Sequence, residues 1–264
     1  MGDVRQAFRF VAPVLAEAGY RVARMDQRGH GESTSGWSGY GSPATGEDML
    51  ALVRHLGGPA AIIGHSSSAA AAVWAAAEEP VLVSALVLIG PFARQRELPT
   101  LVRLAFAAVT SRAAIWSRVY YPTMYKAPKP ADFAAYVRAL QANLREGGRM
   151  AATRGAMGRQ VECYSRVAEV GCPVRIVMGT RDPDFPDPAA DSEYARAAVR
   201  GPRRDDRGDD RRGRALPARR ASRGHRVGGP AVPGRRGPCL GQACPPGPWS
   251  TRRSVWSTSR DGPP

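Results

Sequence analysis

Ala60-Ala61-Ile62-Ile63-Gly64-His65-Ser66-Ser67-Ser68 is the stretch that decides how the rest of this 264-residue chain is read. A short apolar run ends in a glycine, a serine follows two residues later, and an alanine-rich segment through Trp74 takes over at once. That order predicts a strand, a tight turn and a helix, the arrangement in which a nucleophilic serine, Ser66, stands clear of a sheet edge. Gly64 and a small residue at Ser68 let strand and helix approach closely. The backbone N–H of Ser67 is aimed at the oxygen that becomes negative during acyl transfer. The pattern such turns follow is Gly-x-Ser-x-Gly, and here its last glycine is replaced by Ser68. Taken alone, the pentapeptide also fits a buried strand leading into a core helix whose serines merely cap it.

A second motif narrows the reading. Asp26-Gln27-Arg28-Gly29-His30-Gly31-Glu32-Ser33 follows an apolar segment, Tyr20 to Met25, that reads as a strand, and it precedes the serine turn by about one β-α unit. With an Asp-x-Arg-Gly-His-Gly-x-Ser loop followed by a Gly-His-Ser turn, the chain resembles the α/β-hydrolase superfamily over roughly residues 1–200. The resemblance implies an α/β fold in which helices flank a mostly parallel sheet, with a helical lid inserted. It also implies a serine esterase or cofactor-free perhydrolase acting on a small apolar ester or related acyl compound, with no metal or organic cofactor. Four segments are expected: hydrolase core over 1–91 and 167–200, helical lid over 92–166, and a tail over 201–264.

In this superfamily the triad acid follows a late strand. Pro173 to Gly179 reads as such a strand, and Thr180-Arg181-Asp182-Pro183-Asp184 follows it. Asp182 fits the acid, whose task is to orient a histidine and stabilise its imidazolium, and Asp184 is the alternative. Without the serine turn, the same residues would read as a solvated Asp-Pro turn. His30 and His65 are expected to be packing and hydrogen-bonding residues, and His55 a helix-end residue. The only histidine after the acid is His225, with nothing strand-like around it.

Other segments follow by pattern. Val4 to Ala18 has helical spacing interrupted by Pro13. Thr45 to His55 reads as a helix, Ser84 to Gly90 as a central strand, and Leu98 to Tyr121 and Ala131 to Leu144 as helices rich in aromatics. The resemblance places the first strands and a His-Gly loop before residue 1. A chain truncated at its start is therefore expected, with Met1 at the second oxyanion position beside Ser67.

The formal charge of +15 would suggest nucleic acid if it were spread over the fold. It is not, because residues 201–264 hold 15 arginines against five aspartates, which leaves +5 for the first 200. Those 64 residues also hold ten prolines, eleven glycines and no lysine, and their apolar periodicity is lost. The composition resembles an out-of-frame reading of a GC-rich gene. One codon assignment for Arg214–Arg220, shifted by one base, encodes Gly-His-Tyr-Pro-His-Ala, the kind of segment that carries the superfamily's histidine. The tail is expected to be disordered, and nucleic-acid binding through it is disfavoured, because aspartate pairs break the basic run and no aromatic-basic platform appears. A catalytically inactive binding protein remains the rival of another class. No run of about 18 apolar residues suggests a membrane span, no signal-peptide core opens the chain, and Gln6 breaks the myristoylation pattern. The expected partner is a small molecule, with no membrane, in the cytoplasm. Cys163 and Cys172 are expected to be buried thiols, and Cys239 and Cys244 lack partners at metal spacing.

Overall fold

Three short runs rich in β-branched residues form the sheet. In the computed structural model, which describes residues 2–94, 99–126, 128–157 and 160–199, they are β1 (Ala60–His65), β2 (Val83–Ile89) and β3 (Val174–Val177). All pair in parallel in the order β1-β2-β3, with Ile63 opposite Val87 and Ile89 opposite Val177. Parallel strands need crossovers, and helices supply them: α3 (Ser67–Glu78) joins β1 to β2, and a long helical stretch joins β2 to β3. The carboxyl ends of the three strands consequently lie side by side, where open α/β sheets place their ligands.

Small residues set the spacing. Ala69, Ala70, Ala71, Ala72, Ala75 and Ala76 of α3 are all essentially inaccessible, and the helix lies close upon the sheet. A Cβ on Gly64 would stand 2.5 Å from the Ser68 carbonyl oxygen and 2.7 Å from the Ala69 Cα, so only glycine fits there. Gly46 does the same between α3 and α2 (Ser42–His55), where a Cβ would come within 2.9 Å of the Ala71 carbonyl oxygen. The core under this layer joins Val73, Leu86, Leu88, Tyr164 and Val167, with Ala195 of α9 (Pro188–Ala198) closing it beside β3. A second core cluster, Trp116, Tyr121, Tyr136, Leu140 and Leu144, belongs to the helices between β2 and β3.

Most elements fall where the pattern places them, with local shifts. The Val4–Ala18 segment splits into a 3-10 turn, Arg5–Phe8, and α1 (Val11–Glu17), whose first turn absorbs Pro13. Helix α2 starts three residues before Thr45, because Pro43 with its fixed φ suits a helix start. The Leu98–Tyr121 helix is a correction. Within the described residues it is α4 (Thr100–Val109), then a break at Thr110–Arg112 where the Thr110 hydroxyl turns back onto the Phe106 carbonyl. The chain resumes as α5 (Ala113–Ile115), a π turn over Trp116–Tyr120 and a 3-10 turn over Tyr121–Met124. After it come α6 (Phe133–Leu144), α7 (Arg149–Gly155) and α8 (Gln160–Ser165). The Tyr20–Met25 strand is a second correction: only Ala23 makes a bridge, and the segment joins no sheet among the described residues. A strand exists only with a partner to take its hydrogen bonds. Met1, His225, Cys239, Cys244 and the whole of 201–264 lie outside the described residues, as do 95–98.

Candidate active site

Ser66 sits at the junction of β1 and α3 with φ 56° and ψ −121°, the only non-glycine residue among the described ones with positive φ. A serine in that region costs of order 1–3 kcal/mol and persists only where its surroundings fix it. Here the Ser66 N–H donates to the Ile89 carbonyl at 2.8 Å, and its own carbonyl accepts from the Ala69 N–H at 3.0 Å. The turn is therefore bolted to the end of β2 on one side and to the first turn of α3 on the other. Ser68, where the pattern has glycine, strengthens the turn. Its hydroxyl accepts from the His65 N–H at 2.8 Å and donates to the His65 carbonyl at 2.9 Å, tying the strand end to the helix start. Ser67 is the first residue of α3, so its N–H has no carbonyl one turn back within the helix and lies at the positive end of the helix dipole. The Ser67 side chain is buried, and its hydroxyl has no hydrogen-bond partner among the described residues.

The acid candidates lie at the same edge of the sheet. The Gly90 N–H donates to the Val177 carbonyl at 2.9 Å, joining the end of β2 to the end of β3. The chain then turns, with the Asp182 N–H on the Gly179 carbonyl at 3.2 Å and the Phe185 N–H on the Asp182 carbonyl at 3.3 Å. Asp182 Oδ2 would be 3.5 Å from a Cβ placed on Gly90, the residue after the one that holds the Ser66 N–H. The two carboxylates have separate partners. Asp182 Oδ1 accepts from the Asp184 N–H at 3.0 Å, whereas Asp184 Oδ1 accepts from the Tyr120 hydroxyl at 2.8 Å. Burial pushes the Asp184 carboxyl up from its ordinary value, and the Tyr120 phenol is likewise raised, by burial first and by Asp184 second. Tyr120 is not singled out by sequence reading; the aromatic concentration in its segment is the only signal that points to it.

The Asp26–Ser33 loop forms a second bolt. Asp26 is buried and accepts from the Arg5 N–H at 2.6 Å and from the Arg5 guanidinium, and the Glu32 N–H adds a bond at 3.2 Å. The Arg28 guanidinium grips Asp48 with two bonds of 2.7 Å. His30 is 1% exposed. Its Nδ1 lies 3.1 Å from the Arg28 carbonyl, and its Nε2 is 3.2 Å from the Gly2 N–H. A carbonyl can only accept, so Nδ1 carries the proton and Nε2 accepts from Gly2. Burial lowers the ring from 6.5 to about 4, which keeps it neutral at physiological pH. The helices on the other side grip the same segment: the Trp116 indole N–H donates to the Gly2 carbonyl at 3.1 Å, and the Tyr121 hydroxyl donates to Asp3 at 2.8 Å, joined there by the Tyr136 hydroxyl. Asp3, Trp116 and Tyr136 escape a reading by motif, because their partners lie more than a hundred residues apart in sequence.

The structure thus brings Ser66, Ser67, Asp182 and Asp184 to one sheet edge. Met1, the second oxyanion candidate, lies outside the described residues. Among the described residues, no histidine hydrogen-bonds to Ser66 or to Asp182: His30 is committed to Arg28 and Gly2, and His65 is solvent-exposed at the strand end. Nor do the described residues hold a cluster of three or more His, Cys, Asp or Glu able to hold a metal ion.

Comparison with known proteins agrees with this fold. A family described as serine aminopeptidase, S33, matches residues 1–203. A bifunctional esterase/perhydrolase of Acinetobacter calcoaceticus is 36% identical over 76 residues, which are 26% of this chain and 28% of that protein. The chain therefore matches little more than a quarter of that relative's length. Among solved structures, an esterase from Exiguobacterium antarcticum superposes with a TM-score of 0.64 at 16% identity, over 76% of this chain and 78% of the other. A bromoperoxidase from Bacillus anthracis superposes with a TM-score of 0.61, also at 16% identity, over 75% and 76%. At such identities the superpositions speak for the fold.

Proposed function

Since the chain belongs to the serine aminopeptidase S33 family of α/β hydrolases, we propose that it is built for acyl transfer to Ser66 from a small apolar ester or related acyl compound. The observation that carries this reading is the backbone of Ser66, a serine forced into positive φ between a parallel strand and a helix start. We read this strain as catalytic, because it holds the serine beside a helix N-terminus that favours negative charge. In the proposed reaction Ser66 Oγ bonds to the acyl carbon and its proton passes to a base. The carbonyl oxygen becomes negative and accepts from the Ser67 N–H. The leaving alcohol departs with the proton, and water then releases the acid by the same steps.

Asp182 is the better triad acid of the two. Asp184 is spoken for by Tyr120, whereas Asp182 Oδ2, on the Gly90 side, accepts no hydrogen bond among the described residues and is free to orient an imidazole. That imidazole must come from outside the described residues, where His225 is the histidine of this chain. The helices between β2 and β3, with their aromatic cluster, are proposed as the lid over the acyl pocket. The relative named for esterase and perhydrolase activities suggests peracid formation as an activity of the same site.

A second reading, an inactive hydrolase-like binding protein, is favoured by the absence of any histidine bonded to Ser66 or Asp182 among the described residues. A fluorophosphonate probe decides between the two, since it labels only an activated serine. Labelling of the full chain that disappears in Ser66→Ala and falls in Asp182→Asn, but persists in Asp184→Asn, supports the enzyme. A folded chain that does not label refutes it, and His225→Ala shows whether that histidine is the base.

A further inference from the structure

Helix α4 presents an apolar surface that the described part of the fold does not cover. None of its ten residues is buried. Phe106 and Val109 turn toward the second core cluster, with the Phe106 ring edge-on to Tyr120 at 6.1 Å. The opposite stripe, Leu101, Leu104, Ala105 and Ala108, recurs at i, i+3, i+4 and i+7 and faces away, Leu101 being 77% exposed and Leu104 63%. Val119, on the π turn whose Tyr120 meets Phe106, is also 61% exposed.

The charges on this helix and in the segment after it are of one sign. From Pro99 to Ala131 the sequence holds Arg103, Arg112, Arg118, Lys126 and Lys129 and no acidic residue. All five are exposed. Of the carboxylates near the region, Asp184 is bonded to Tyr120 and Asp132 to Arg9, and Glu97, two residues before Pro99, lies outside the described residues. An exposed apolar stripe followed by exposed cations is the composition that lies in the headgroup region of an anionic bilayer, inserting its leucines shallowly while its arginines meet lipid phosphates.

We propose that α4 and the exposed turn after it form a docking surface for anionic membranes. A ten-residue helix is about 15 Å long, half a hydrocarbon core, so this is attachment and not spanning. The sequence expectation of no membrane partner rests on the lack of a spanning run and does not bear on this mode. Docking here would bring the region after β2 against the lipid surface.

The test is co-sedimentation of the full chain with vesicles of phosphatidylcholine and phosphatidylglycerol, and with phosphatidylcholine alone. The arginine-rich 201–264 segment can bind anionic vesicles by charge alone, so the deciding variant is L101S/L104S, which leaves the charge and that segment intact. Both leucines face outward, and circular dichroism checks that the fold is kept. Partition into the mixed vesicles is expected to fall about tenfold in L101S/L104S. In R103Q/R112Q/R118Q it is expected to fall on the order of a hundredfold at low salt and much less at high salt. Unchanged partition of L101S/L104S overturns the proposal, because binding then belongs to the arginine-rich segment. Equal partition into neutral and mixed vesicles, or none into either, also overturns it. So does a concentration-dependent dimer without lipid that L101S/L104S abolishes, which would assign the face to a second copy.

Discussion

His30 makes the stability of this protein depend on pH over a range in which most side chains do not titrate. The ring is 1% exposed, its Nδ1–H is held by the Arg28 carbonyl, and its Nε2 holds the Gly2 N–H. Protonating Nε2 would set two donors against each other in a site without solvent, and burial accordingly lowers the ring from 6.5 to about 4. Because the folded value lies below the unfolded one, the unfolded chain binds the proton more readily. The contribution is complete above about pH 6.5 and is lost as the pH falls toward 4. Between about pH 7.5 and pH 5 the linkage amounts to about 2 kcal/mol, rising to about 3 kcal/mol at pH 4, since each pH unit separating the folded from the unfolded value is worth about 1.4 kcal/mol. Urea unfolding followed by tryptophan fluorescence, at several pH values across that range, measures it in the wild type and in His30→Gln. Glutamine cannot titrate, so the variant starts less stable at neutral pH, by about 1–3 kcal/mol for its lost hydrogen bonds, and declines less steeply. Differencing the two curves removes the other histidines and the carboxylates. If both proteins lose the same stability between about pH 7.5 and pH 5, His30 is not buried neutral and the assigned tautomer is wrong.

Two further expectations concern the serine turn. Gly64→Ala places a Cβ 2.5 Å from the Ser68 carbonyl oxygen, a backbone atom that cannot swing away, so the variant should lose at least about 2–3 kcal/mol in chemical denaturation together with any fluorophosphonate labelling. Ser66→Gly and Ser66→Ala should both abolish labelling, yet differ in stability, because only glycine relieves the positive φ; thermal melts should place Ser66→Gly about 1 kcal/mol above Ser66→Ala, and equal melting would mean that the turn is unstrained.

The serine turn was legible because its requirements are local. A strand-forming run, a glycine where helix and strand touch, and a helix former directly after the serine occupy consecutive positions, and the structure places β1, Ser66 and α3 on those residues. The parallel arrangement was legible for a related reason, since apolar runs separated by helices leave few ways to pair. Tyr20–Met25 failed the same test: its composition suits a strand, but strand formation depends on a partner that composition does not supply. The break at Thr110 was equally hidden, because a threonine hydroxyl turned back on the Phe106 carbonyl competes with the helix only when packing favours it.

Order along the chain was enough for the fold class, for the nucleophile candidate and for the succession of Ser66 and Asp182, all of which depend on short-range pattern or on chain order. What holds these residues in place came from long-range packing. It gave Asp184 to Tyr120 and left Asp182 Oδ2 without a partner among the described residues, and it locked His30 between Arg28 and Gly2. It also brought Asp3 under two tyrosines and turned the leucines of α4 outward. Each of those outcomes depends on which distant side chain arrives within about 3 Å of a polar group, or fails to cover an apolar one, and periodicity along the chain carries no record of that distance.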